Sequence, residues 1–226
     1  MRTLALGVAL FFSGCVSTST MGLARTLNKG AVQGWVGGGA FAPVPPNDGR
    51  MAPLPMVEAG VRTGVTDRVE LGARAGLAGI GLEGKFALAR ASTMDRGVNV
   101  SLNPQASVIV LPSGGLWGGN VAVSLPLLIG IDFAGHELII GPRLHDMVGF
   151  GGLGDLTYSV NVLSAGLSLG VAIKVGPVRI VPEVSALMPF HTAAFGSPGE
   201  LAVKGVVLQA GVGVLLGSAD AYEQRR

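Results

Sequence analysis

Three groupings of residues in this sequence have the makings of a reactive or binding centre. Gly166-Leu167-Ser168-Leu169-Gly170 follows the pattern G-x-S-x-G, and Glu183 and His191 come after it in the order serine, acid, histidine. Such a serine becomes a nucleophile on a sharp strand-to-helix turn, with a histidine to take its proton. Gly149-Phe150-Gly151-Gly152-Leu153-Gly154 has the spacing G-x-G-x-x-G, in which glycines let the backbone close on a pyrophosphate at the start of a helix. The three histidines are His136, His145 and His191, and a metal site asks for ligands paired at i, i+4 on a helix or joined by cysteines. Each arrangement fails on its surroundings. Ser168 falls in the middle of an uninterrupted alternation with a further strand after it. Gly154 is followed by Asp155 and another alternating run rather than a helix. The histidines fall singly on different turns or strands, so each is expected to be an exposed loop or interface side chain. No catalytic residue, cofactor or metal ligand is expected.

Charge is the other candidate chemistry. Between Pro55 and Arg90 three segments alternate with period two, which reads as β-strand. Val57, Ala59, Val61 and Thr63 oppose Glu58, Gly60, Arg62 and Gly64. Val69, Leu71, Ala73, Ala75 and Leu77 oppose Arg68, Glu70, Gly72, Arg74 and Gly76. Leu82, Gly84, Phe86 and Leu88 oppose Gly81, Glu83, Lys85 and Ala87. One face is apolar; the other mixes glycine with charges of both signs. A soluble antiparallel sheet turns its apolar face to a core. A membrane barrel does the inverse, apolar face to lipid and polar face to a lumen. On the second arrangement Glu58, Arg62, Glu70, Arg74, Glu83, Lys85, Arg179 and Glu183 form a lumen charge network. Unpaired charges in a narrow barrel are costly, so the interleaved signs favour a salt-bridged plug over a small polar pore.

Composition agrees with the membrane arrangement. Of 226 residues only 13% are charged, and mean hydropathy is +0.55, whereas a soluble domain carries about 25% charge. Beyond the N-terminus no apolar stretch reaches the ~18 residues of a spanning helix. The longest candidate, Val121 to Ile131, is short and carries Ser124 and Pro126. With 37 glycines and 13 prolines, long helices are disfavoured. Barrel strands need only about 10 residues each. A net charge of +2 is too small to argue for nucleic acid or long-range steering, and one cysteine forbids an intrachain disulfide.

The N-terminus, MRTLALGVALFFSGC, has Arg2, an apolar run from Leu4 to Phe12, and Ser13-Gly14 before Cys15. It reads as a secretory signal peptide. Small residues just ahead of the cysteine resemble the lipobox of bacterial lipoproteins, with Phe12 where leucine is usual. The resemblance implies that the mature chain begins at Cys15, acylated there with palmitate-type chains. Val16, in place of aspartate, implies outer-membrane sorting. Several acyl chains at ~0.8 kcal/mol per CH₂ hold such an end in lipid.

The whole chain resembles small bacterial outer-membrane β-barrels. The expected fold is all-β, an antiparallel up-and-down transmembrane β-barrel of about ten strands, within 8–12. Residues 1–14 are the signal peptide, 15–30 a lipidated tether, 31–217 the barrel and 218–226 a polar tail. Within the barrel, 148–156 is expected as a glycine-rich loop and 189–200 as a loop carrying His191. Trp35, Phe41, Trp117 and Tyr158 are expected at the membrane interfaces. With the tether periplasmic, the turns near Asp67, Arg96, Gly135 and Gly176 lie on the periplasmic side, and the loops near Pro45, Gly151 and His191 face outward. The expected function is a non-enzymatic outer-membrane lipoprotein barrel, structural or a minor pore, with membrane lipid as its partner. Two alternatives are a lipid-anchored periplasmic barrel of lipocalin type holding an apolar ligand and a barrel-type lipid hydrolase.

Overall fold

The computed structural model describes residues 19–44, 52–77, 79–113, 116–153, 156–195, 205–217 and 222. The signal peptide and Cys15 lie outside them. The segments are β1 (Val32–Val44), β2 (Leu54–Thr66), β3 (Val69–Gly76), β4 (Gly79–Ala89), β5 (Arg96–Leu102), β6 (Gln105–Ser113), β7 (Leu116–Phe133), β8 (His136–Leu153), β9 (Leu156–Val175), β10 (Val178–Phe195) and β11 (Val206–Gly217). Each pairs antiparallel with its neighbour, and β1 pairs with β11, so the sheet closes on itself.

β5 and β6 are two halves of one strand. Leu102 and Gln105 keep a single register on β4, opposite Phe86 and Glu83, and a single register on β7, opposite Leu127 and Ser124. Pro104 has no N–H to give, but the ladder is carried past it. Asn103 N donates to the Pro126 carbonyl at 2.9 Å, and Gly84 N donates to the Pro104 carbonyl at 2.9 Å. The architecture is a closed barrel of 10 strands, up and down throughout.

Four connections lie at one end: Asp67-Arg68, residues 90–95, Ala134-Gly135 and Gly176-Pro177. We call this the turn end and the opposite one the hairpin end. Ala134 and Gly135 both have positive φ, 50° and 81°, the geometry of a type I′ hairpin. Gly176, at φ 59° before Pro177, makes the type II′ variant.

The alternation places apolar side chains outside. On β9, Leu163, Ala165, Leu167, Leu169, Val171 and Ile173 form the outer row, and Leu167 and Leu169 are each 45% exposed. Thr157, Ser159 and Asn161 continue the row as polar groups toward the hairpin end. On β8 the change comes at Asp146, which accepts from Asn161 Nδ2 at 2.7 Å. Ten rises of about 3.3 Å, on strands tilted by about 40°, make an apolar band about 25 Å tall.

Several expectations are corrected. The glycine-rich stretch 148–156 is mostly strand: β8 runs to Leu153 and β9 starts at Leu156. Glycine weakens a strand, but here both partners continue the ladder, from Val148 opposite Asn161 to Leu153 opposite Leu156. β10 runs to Phe195 through a register shift between Pro189 and His191, so the expected loop after Met188 is largely strand. Trp35 (2% exposed) and Phe41 face inward rather than into an interface. Both are odd-numbered on β1 and share the inner face with Gln33 and Gly37. Trp117 is exposed against Phe150 with ring centroids 6.2 Å apart, while the Tyr158 side chain is outside the described set.

The largest correction concerns the expected tether. Its described part, from Ser19, runs inside the barrel, and Met21, Leu23, Arg25, Thr26 and Leu27 are at most 1% exposed. The expected polar tail also sends Tyr222, 2% exposed, into the turn-end mouth. A ten-strand lumen lined by glycine has space to fill; the segment from Ser19, the plug, fills it, with Tyr222 at its turn-end mouth.

Candidate functional site

The inner wall is built by the parity of the strands. Glu58 and Arg62 come from β2, Glu70 and Arg74 from β3, Glu83 and Lys85 from β4, Arg179 and Glu183 from β10, and all eight are buried. Seven of them fall into close ion pairs. Arg62 Nε lies 2.5 Å from Glu83 and 3.8 Å from Glu70, Lys85 Nζ lies 2.9 Å from Glu70, and Arg74 lies 3.9 Å from Glu58. Glu183 pairs with Arg143 at 3.8 Å. Arg179 instead donates to the Gly135 carbonyl at 2.6 Å and stands over the Tyr222 ring.

Sequence reasoning missed Asp132, Glu137 and Arg143 on the wall, each at most 4% exposed, and Arg25 on the plug. Among the described residues the wall therefore carries Glu58, Glu70, Glu83, Asp132, Glu137 and Glu183 against Arg62, Arg74, Lys85, Arg143 and Arg179. That is six carboxyl groups against five basic side chains. Arg25 supplies the sixth cation, 3.7 Å from Asp132.

The wall holds the plug mainly by its backbone. Glu183 accepts from Thr20 N at 3.1 Å and Met21 N at 2.9 Å, as well as from Thr20 Oγ1 at 2.7 Å. Glu137 accepts from Ala24 N at 3.0 Å, and Glu70 from Leu27 N at 2.9 Å. Cations take the carbonyls: Arg62 donates to Met21 O at 3.0 Å and Thr20 O at 2.8 Å, and Arg74 to Ser19 O at 3.2 Å. Ser19 Oγ donates to Glu58 at 2.7 Å. A segment inside a closed sheet has no ladder partner, and these carboxylates and guanidinia supply its hydrogen bonds instead.

Glycine makes the room. A Cβ on Gly37 would overlap Met21 Sδ, and one on Gly130 would overlap the Glu137 carboxylate beside Ala24. Arg62 stacks on Trp35 with its guanidinium carbon 5.0 Å from the ring centroid. At the turn end Tyr222 donates to Gln33 at 2.7 Å, and Arg25 donates to the Tyr222 carbonyl at 3.1 Å. Burial, with the Glu70 carboxylate adding to it, holds the Tyr222 hydroxyl well above the ordinary tyrosine range, so it stays a neutral donor.

The hydrolase constellation is not assembled. Ser168 lies opposite Ser185 in mid-strand, whereas His191 lies opposite Leu163 and is exposed. Ser168 Oγ accepts from Arg143 at 2.6 Å, and Glu183 is turned to the plug. Of the histidines, His145 is buried on the inner wall instead of exposed, because it shares the parity of Glu137 and Arg143 on β8. His136 Nδ1 accepts from Lys174 N, and His191 is exposed as expected. Among the described residues no three His, Cys, Asp or Glu side chains are placed to share a metal ion.

No protein-family model matches the chain, and no curated protein does. Solved structures of similar shape include the outer membrane protease OmpT from Escherichia coli, at 10% identity, covering 88% of this chain and 100% of that one with TM-score 0.49. The translocator domain of the autotransporter NalP from Neisseria meningitidis is similar at 10% identity, over 84% of this chain and 89% of that one, with TM-score 0.40. The attachment invasion locus protein Ail of Yersinia pestis is similar at 9% identity, over 83% and 99%, with TM-score 0.33.

Proposed function

We propose that this chain is a non-enzymatic bacterial outer-membrane β-barrel lipoprotein, structural or a minor pore, whose lumen is held shut by its own N-terminal segment. One observation carries the reading: the barrel is inverted relative to a soluble protein. Leu82, Leu71, Val123 and Val184 are 68%, 48%, 52% and 55% exposed, while Arg62, Glu70 and Glu137 are at most 2% exposed. In water that arrangement exposes apolar area worth about 25 cal/mol per Å² and buries charge at a cost; in lipid both terms reverse. A lipocalin-type carrier would need an apolar interior, and the lumen wall is where the charges sit. A lipid hydrolase would need Ser168 beside a base, and its neighbour is Arg143. Membrane lipid is the partner on this reading, around the wall and through an acyl anchor on Cys15.

The test is a detergent gel of membrane-extracted protein with and without boiling, followed by planar-bilayer recording. A compact band that shifts on boiling is expected, with small or no conductance because the plug is in place. An unshifted band, together with release from membranes on Cys15→Ser, would mean a tethered soluble sheet and would end the proposal.

A further inference from the structure

The plug has a direction. Near the turn end Lys29 N donates to Asp67 Oδ1, Thr26 Oγ1 donates to the Asp67 carbonyl, and Leu27 N donates to Glu70, one residue into β3. Ala24 meets Glu137, one residue into β8. Met21 meets Glu183, five residues into β10, and packs against Gly37, five residues into β1. Ser19 meets Glu58, which is eight residues from the turn end of β2 at Thr66 and four from its hairpin end at Leu54. From Lys29 back to Ser19 the chain climbs the lumen away from the turns.

We infer that the chain ahead of Ser19 leaves the barrel through the hairpin-end mouth, opposite the turns, so that the N-terminal end of the mature protein is displayed on that side. Chain reach decides it. Cys15 is four residue steps ahead of Ser19, and a fully extended chain covers about 14 Å in that span. The turn end lies eight strand residues below Glu58, about 26 Å along the strand and about 20 Å along the barrel axis at a tilt of about 40°. Cys15 cannot return to the turn-end leaflet while Ser19 stays bonded to Glu58. This rests on the membrane-barrel reading above, and it revises the expected periplasmic N-terminus. The hairpin end carries the two longest connections between strands, from Val44 to Leu54 and from Phe195 to Val206, and longer loops mark the outer side of such barrels, so an acyl group on Cys15 enters the outer leaflet at the cell surface.

The experiment uses the full chain. Ser17→Cys is combined with Met56→Cys, whose buried side chain faces the lumen two residues from the hairpin end of β2. In a second variant it is combined with Gln33→Cys, which faces the lumen at the turn end. Oxidation is expected to link residue 17 to residue 56, seen as a gel shift reversed by reductant. A link to residue 33, or to neither, overturns the inferred direction and leaves the barrel reading standing. Separately, Thr157→Cys and Arg68→Cys, exposed at opposite ends, are treated with a membrane-impermeant maleimide. Thr157→Cys is expected to label on intact cells and Arg68→Cys only after the outer membrane is permeabilised. Equal labelling of both on intact cells would sink the membrane-spanning reading, whatever the cross-link shows. Labelling of Arg68→Cys alone on intact cells would place the N-terminal end in the periplasm and overturn surface display.

Discussion

Leu169→Arg is expected to destabilise the membrane-embedded barrel by about 2–4 kcal/mol, the cost of an arginine near the bilayer midplane. Leu169 is 45% exposed, in the middle of the outer apolar row, between Val184 on β10 and Ile140 on β8. The same substitution at Leu71, two residues from the turn end of β3, is expected to cost about 0–1 kcal/mol, because an arginine near the interface can extend to the headgroups. Reversible urea unfolding in lipid vesicles measures both. The depth dependence carries the weight: two equal, small losses would mean that the outer face does not meet hydrocarbon. Two exposed leucines on a soluble sheet should respond alike, so the pair separates the environments more sharply than either variant alone.

Glu183→Ala is expected to loosen the plug by about 3–5 kcal/mol. Its carboxylate accepts from two plug amides and one plug hydroxyl and pairs with Arg143 at 3.8 Å. Hydrogen bonds to a charged group contribute about 1.5–3 kcal/mol each, and removing one partner of a buried ion pair is costly in itself. Amide exchange at Thr20 and Met21 should quicken by about 10²-fold or more, and planar bilayers should show a larger conductance than with the unaltered protein. Glu183→Gln keeps one acceptor oxygen and should show a smaller change of the same kind. Unchanged exchange at Thr20 and Met21 in the alanine variant would remove Glu183 from the plug's support.

Much of the wall was legible because period-two alternation survives in β2, β3, β4 and β10. All eight charges expected inward on those strands are buried. β8 hid its contribution, since Leu138, Ile139 and Ile140 are consecutive and apolar, and Ile139 faces inward at 3% exposure beside Glu137 and Arg143. Parity cannot be read where both faces look alike. Asp132 lies next to the expected turn at Gly135, which masked it, although its even number matches Asn120 and Ser124 on the inner face of β7. The plug was illegible for a different reason. Ser19 to Lys29 has no periodicity of its own, because its partners are the barrel's charges and not a ladder. The one available hint was Arg25, an arginine in a segment otherwise free of charge from Val16 to Asn28.

The plug is gripped mostly at groups that every amino acid carries: the amides of Thr20, Met21, Ala24 and Leu27, and the carbonyls of Ser19, Thr20 and Met21. A site of that kind recognises a backbone before it recognises side chains. What distinguishes the native occupant is connection, because Gly30 and Ala31 join it directly to β1. A segment held on so short a leash experiences an effective concentration in the millimolar range or above, which free peptides in the surroundings do not reach. Exclusivity in this lumen is therefore a property of covalent linkage and distance more than of sequence.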